Sequence, residues 1–168
     1  MAKHEDVPLV AKQLARFEPG FLPKTVFEAV ARLVVTPTFV LIPLFKRDNK
    51  TRVYLTRRDT NDNHYAGLLH PPGKIMLASD KSLHAIFKRL IASELTEIEG
   101  ISAPRFVKPV YDQIARGREI SLVHFSTIRD PGDGVATFDC ATLPDDIILT
   151  DIPRIQCAVQ AFEQNPKS

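Results

Sequence analysis

Glu94 stands where a carboxylate is hardest to place. Between residues 80 and 100, Leu83, Ile86, Phe87, Leu90, Ile91, Leu95 and Ile98 recur at helical spacing and form one apolar stripe. At about 100° per residue, Glu94 falls in the middle of that stripe, one turn beyond Leu90 and two beyond Phe87. Glu97 lies three residues further on, at the stripe's edge, so a continuous helix turns both carboxylates toward one point. A charge that faces a core is costly unless it is paired, hydrogen-bonded or metal-bound. Two chemistries compete for it. One is a structural ion pair with Arg57 or Arg58. The other is a divalent-metal site, because hard carboxylate oxygens suit Mg²⁺, which accepts a site of few carboxylates. The helix alone does not decide between them. Arg57, Arg58 and Lys74 have the chemistry of phosphate contacts, or of ordinary solvated charge. His124, inside an apolar strand, reads as a satisfied core histidine; His64 and His70 read as loop or strand-end residues. Cys140 and Cys157 match no metal-ligand spacing and are too few for a disulfide framework.

The elements that must position these residues alternate between helical and extended patterns. Residues 7–17 and 24–34 read as two short helices, the second entered through Pro23 with Val26, Phe27, Val30 and Leu33 on one face. Residues 39–45 are a continuous apolar run, the pattern of a strand covered on both faces. Asp48-Asn49 makes a turn, and Val53-Tyr54-Leu55 returns as its hairpin partner. After a polar loop at 59–64 and a Pro-Pro-Gly segment comes the 80–100 helix. Strands at 106–114 and 120–128 form a hairpin through Arg116-Gly117-Arg118. Pro131-Gly132-Asp133-Gly134 is a turn or loop, and a final helix covers 151–164, with Ile152, Ile155, Val159 and Phe162 spaced for burial. Such interleaving predicts an α/β (α+β) protein with a mixed sheet.

The bulk properties set limits. The chain has 168 residues, 44% hydrophobic and 25% charged, enough for one compact domain with a substantial core. A net charge of +2, from 22 basic and 20 acidic residues, predicts no nucleic-acid partner. No apolar run approaches the roughly 18 residues of a membrane span, and the first six residues lack the apolar core of a signal peptide. A soluble cytoplasmic protein with no membrane partner is the expectation.

Several of these segments together resemble the Nudix hydrolase signature, G-x5-E-x7-R-E-U-x-E-E-x-G-U. Pro71-Pro72-Gly73-Lys74-Ile75 stands where that family often has Pro-Gly-Gly-Lys-Ile. Val53-Tyr54-Leu55-Thr56-Arg57-Arg58 resembles its strand ending in Leu-Thr-Arg-Arg, and Ala66-Gly67-Leu68-Leu69-His70 its Gly-x-Trp-His. The resemblance spans residues 38–162. Two registers compete at the helix. In the first, Arg89 takes the motif arginine and Glu94 the final glutamate, with Leu90 and Ser93 where two other glutamates belong; Asp80 lies about one residue from the motif's first glutamate. This degenerate form is similar to the signature of Nudix mannosyl hydrolases, as in Phe87-Lys88-Arg89-Leu90 followed by Glu94-Leu95. In the second, residues 94–101 match E-U-x-E-E-x-G-U, with Ser93 in place of the arginine and Ile98 in place of a glutamate. The first needs the smaller insertion and is preferred. Glu94 is a metal-position carboxylate in both.

The resemblance implies a Nudix-like α/β/α sandwich with a curved mixed sheet over residues 35–168, preceded by an N-terminal helical extension over 1–34. It implies Mg²⁺ or Mn²⁺ held by Glu94, Glu97 and a carbonyl of the glycine loop at Gly73. Glu94 and Glu97 would be the catalytic carboxylates, and Arg57, Arg58 and Lys74 would contact substrate. It further implies a metal-dependent hydrolase of a nucleoside diphosphate linked to another moiety. The alternative is a Nudix-fold module that binds a nucleotide or sugar nucleotide without cleaving it. A small-molecule nucleoside-diphosphate substrate and a possible homodimer complete the expected partners.

Overall fold

The computed structural model describes residues 6–164; expectations touching residues 1–5 and 165–168 lie outside them. Strand β1 (Val35–Arg47) extends the predicted 39–45 run at both ends, and every residue from Thr38 to Phe45 is buried. Phe39, Leu41 and Phe45 join one core cluster, Val40, Ile42 and Leu44 another. Burial on both faces is why its sequence is continuously apolar rather than alternating. On one edge β1 runs parallel to β7 (Gly117–Thr127). Its other edge is shared: β2 (Lys50–Tyr54) pairs with residues 44–47, and β5 (Gly73–Ile75) with residues 38–40. The Leu41 N–H donates to the Pro72 carbonyl at 2.9 Å on that edge. Alternate residues turn their N–H groups the same way, so the donor missing from Pro43 falls in the gap between the two partners.

With β6 (Arg105–Ile114) and β8 (Thr137–Asp139), the main sheet runs β6-β7-β1-β2-β8, while β3 (Thr56–Arg57) and β4 (Leu69–His70) form a separate small sheet. Asp48 and Asn49 close the β1–β2 hairpin at φ 51° and 61°, a two-residue turn that Asp and Asn tolerate better than most side chains. The β6–β7 hairpin turns on Ala115 and Arg116, one residue earlier than the predicted 116–118. Gly117 then sits at φ 143°, where a Cβ would stand 2.6 Å from the Ala31 carbonyl. Only glycine lets the N-terminal helices dock there.

Those helices are shorter than the periodicity suggested: α1 is Val7–Leu14 and α2 Lys24–Ala31, with Leu33 and Val34 exposed beyond it. The larger departure is at α3 (Leu83–Glu94), which ends at Glu94 instead of running to 100. Ser82 caps its start, its Oγ accepting the Ala85 N–H at 3.1 Å. At the other end Leu95 leaves helical geometry (φ −128°, ψ 29°) and Ile98 donates back to the Leu95 carbonyl. Leu95 and Ile98 are still buried, so the stripe's last members reach the core through a turn. Periodicity alone does not distinguish that turn from a further helical turn. Glu97 is consequently exposed, and Leu83, the stripe's first member, is exposed too.

A 3-10 turn (Leu149–Asp151) leads into α4 (Ile152–Glu163), which buries Ile155, Ala158 and Phe162 against the Val40–Ile42–Leu44 face. Helix α3 covers the opposite face through Ile86, Phe87 and Leu90. The result is the predicted α/β/α sandwich with a mixed sheet. No helix among the described residues is long and apolar enough to cross a membrane.

Leu90 is completely buried at the centre of the α3 layer, so Leu90→Ala should cost about 3 kcal/mol in denaturant unfolding. A loss below about 1 kcal/mol would mean that α3 is not the cover of this face. His70 supplies a second test. Its Nδ1 lies 2.8 Å from the Pro71 carbonyl, which accepts a hydrogen bond from it, and its Nε2 lies 3.2 Å from Thr56 Oγ1. Burial, reinforced by the Arg58 charge, pushes its pKa down to about 4 from 6.5. In that window the unfolded chain takes up a proton that the folded protein refuses, so stability falls as pH falls from about 6.5 toward 4. His70→Gln should therefore lose about 2 kcal/mol less than the wild type on acidification from about pH 7 to about pH 4.5. Parallel pH–stability curves would exclude His70 as a source of acid lability.

Candidate functional site

A cavity of about 240 Å³ opens beside the split edge of β1, and its wall collects charged side chains from seven elements or loops. At one end, β5 brings Lys74 and α3 brings Glu94. Lys74 Nζ lies 2.6 Å from Glu94 Oε1, and the Gly73 N–H donates to Oε2 at 3.1 Å. Glu94 is the last residue of α3, where the helix dipole opposes a negative charge; Lys74 offsets that. Behind this pair, Arg89 donates to both Asp80 oxygens at 2.7 and 3.2 Å and to the Ile75 carbonyl at 2.8 Å. Asp80 also accepts the Leu77 N–H, and the Arg89 guanidinium holds its carboxyl below the usual range. Arg89 thus locks α3 to β5 and the intervening loop.

The far end is a buried lattice of arginine and carboxylate. Arg154, only 4% exposed, donates to Asp151 at 2.7 Å, Asp112 at 2.8 Å and Glu119 at 3.2 Å. Glu119 also receives Arg116 at 2.6 Å and the Ser121 hydroxyl at 3.0 Å, and Ser121 is 3.0 Å from the Thr38 hydroxyl. Burial pushes the Asp151 carboxyl up to about 6, against the pull of Arg154. Such a group titrates near neutrality. Phe21, from the segment before α2, reaches the rim with its ring 5.6 Å from the Arg89 guanidinium and 77% of its surface exposed.

Of the residues singled out in the sequence, Gly73, Lys74, Glu94 and Arg58 line this cavity. Glu97 and Arg57 do not. Glu97 is exposed on the turn after α3, so the expectation that one helix aims both carboxylates together fails with the helix end. Arg57 instead pairs with Asp146 at 2.7 Å and donates to the Gly67 carbonyl, tying two loops together. The ion pair foreseen for Glu94 exists, but with Lys74 and not with an arginine. The position of Arg89 favours the first register, since the second would need helix beyond Glu94. His124 stacks on Phe39 at 4.2 Å and lies 2.9 Å from the Leu122 carbonyl, a core role.

Arg116, Glu119, Asp151 and Arg154 were not foreseen. For Glu119 and Arg154 the signal was a charged residue on a core position. Glu119 and Ser121 share a β7 face with Val123 and Phe125, and Arg154 precedes Ala158 and Phe162 by one and two helical turns.

The donor set does not fit a divalent cation. Mg²⁺ requires several oxygens around one point, but both Glu94 oxygens are engaged and Gly73 meets Glu94 through its N–H. Among the described residues no group of three His, Cys, Asp or Glu side chains is placed to hold a metal ion, and the three carboxylates that gather at the far end close on Arg154. The wall is suited instead to holding an anion, through arginine forks and an ammonium.

No family model matches this chain, and no curated protein matches it. Solved structures do. A mutT/nudix family protein from Listeria innocua aligns with 77% of this chain and 95% of its own, at 15% identity and TM-score 0.60. The NUDIX domain of Shewanella oneidensis NrtR complexed with ADP ribose covers 90% of this chain and 97% of its own, at 17% identity and TM-score 0.54. Longer NrtR chains also align at 17% identity, with TM-scores of 0.57 alone and 0.56 complexed with a 27mer DNA. They cover 77% and 76% of this chain, which spans 64% and 62% of their length. That DNA complex corrects one expectation: a structural neighbour of this chain binds DNA, so nucleic acid cannot be struck from its partners on net charge. A chain-wide average of +2 says nothing about local patches of charge. Likeness at these identities establishes architecture, and the architecture is unambiguous: this chain has the Nudix fold.

Proposed function

We propose that this chain is a Nudix-fold binding module that takes a nucleoside diphosphate or nucleotide sugar into the basic cavity. The observation that carries this reading is the composition of the wall. Arg58, Lys74, Arg89, Arg116 and Arg154 face Glu94, Glu119 and Asp151, an excess of two positive charges over the lining residues. Arginine forks match phosphate oxygens, and a concave, partly enclosed site strengthens each contact. Phe21 adds an exposed aromatic face at the rim, suited to a base or sugar edge. The NUDIX domain of NrtR, with ADP ribose bound, makes that compound the first probe.

Hydrolysis of such a ligand is the second reading, in keeping with a Nudix-type fold, and one observation favours it. Asp151 is a carboxyl in the cavity wall that burial pushes up to about 6, a direction that suits a general base. The two readings separate in one assay series. Calorimetry should register ADP-ribose binding, and Phe21→Ala should weaken it about tenfold while leaving inorganic pyrophosphate unaffected. Arg58→Ala should weaken both. Absence of binding across ADP-ribose, ADP and a panel of sugar nucleotides would refute the module. Nucleoside monophosphate release by the wild type, lost in Asp151→Asn, would establish the hydrolase.

A further inference from the structure

We infer that the cavity binds the diphosphate group without a divalent cation, the Lys74 ammonium serving as its fixed positive charge. This rests on the phosphate-binding reading of the cavity and goes beyond it.

The wall carries its own cations. The lining a ligand meets first offers five basic side chains against three carboxylates, a surface of N–H donors that suits a diphosphate's oxygens. Carboxylates outside the lining, Asp62, Asp80 and Asp112, pair with Arg58, Arg89 and Arg154. They hold these side chains in place and bring the assembly to six carboxylates against five cations, but they do not line the cavity.

Glu94 is the single acidic position that could receive a metal in either motif register, and it is occupied twice. Its Oε1 is 2.6 Å from Lys74 Nζ and its Oε2 accepts the Gly73 N–H. Both side chains are largely withdrawn from solvent, at 23% and 18% exposed, so exchanging ammonium for metal would strand a partly buried lysine. An ammonium has three N–H donors and no acceptor. Glu94 takes one, which leaves two for phosphate oxygens.

The test is calorimetric titration of the full chain with inorganic pyrophosphate and with ADP-ribose, in EDTA and in excess Mg²⁺. Binding of pyrophosphate in EDTA, not improved by Mg²⁺, is the expected result. Pyrophosphate binding that appears only with Mg²⁺ would overturn the inference. ADP-ribose binding that needs Mg²⁺ would do the same while leaving the binding-module reading intact. Metal-free binding of pyrophosphate without ADP-ribose binding would sink the nucleotide reading and leave this one standing. The double variant Lys74→Ala/Glu94→Gln keeps the net charge of the wall while removing the ammonium together with the carboxylate that pairs with it. It should lose at least about tenfold in pyrophosphate affinity in EDTA, with thermal unfolding confirming that it folds. A double variant that folds and binds as the wild type does would assign the anion to the arginines alone and overturn the role of Lys74.

Discussion

Strand β1 must be apolar on both faces because two helices bury it from opposite sides, and the other elements take their places around that strand. It lies parallel to β7 and gives its other edge to two separate partners, β2 and β5. A strand with one continuous partner there would close the sheet. The division opens it beside Val40, and β5 then carries Gly73 and Lys74 within reach of the end of α3. Packing accounts for the fold, since Phe39, Leu41 and Phe45 require α3 while Val40, Ile42 and Leu44 require α4. The site is a consequence of how those two layers are fed by one strand.

Electrostatics decides what the opening holds. Burying a charge costs several kcal/mol unless partners compensate it, and the cavity wall meets that cost with paired lattices. Arg154 is compensated by three carboxylates, Glu119 by two arginines and a hydroxyl, and Glu94 by one ammonium and one amide. The lattice is overdetermined for Glu119 and underdetermined for Asp151, whose carboxyl is desolvated more than Arg154 and the more distant Arg58 repay. That imbalance is local. It places the group most ready to exchange a proton in the cavity wall and not in the surrounding core.

Much of the fold was legible in the sequence because apolar periodicity reports burial directly. The short strands β3, β4, β5 and β8 were not foreseen, whereas the double-faced β1, the β6–β7 hairpin and the two covering helices follow from that periodicity, and the Asp48-Asn49 turn from its turn residues. The end of α3 did not, since Leu95 and Ile98 satisfy the same burial through a turn. That error carried over to Glu97, whose predicted aim depended on four residues of helix that do not form. The half of the site around Glu119 and Arg154 was hidden for a different reason. Polar residues on core positions look like interruptions of a pattern until the partner that neutralises them is known, and Arg154 and Glu119 lie thirty-five residues apart. Arg116, in a hairpin turn, gave no signal of which way its side chain would point.

Arg89 shows how a fold outlasts a set of ligands. Its bidentate grip on Asp80 and its bond to the Ile75 carbonyl fix α3 against β5 without any of the neighbouring glutamates. The geometry that brings Glu94 to the glycine loop is therefore independent of how many carboxylates surround it. Leu90 and Ser93 offer Glu94 no charge one turn back along the helix, and the cation it meets is the Lys74 ammonium from β5. A helix and loop held by an arginine clamp can carry either arrangement with the same backbone. What the cavity binds is then set by the few side chains that line it, since the Nudix fold leaves that choice open.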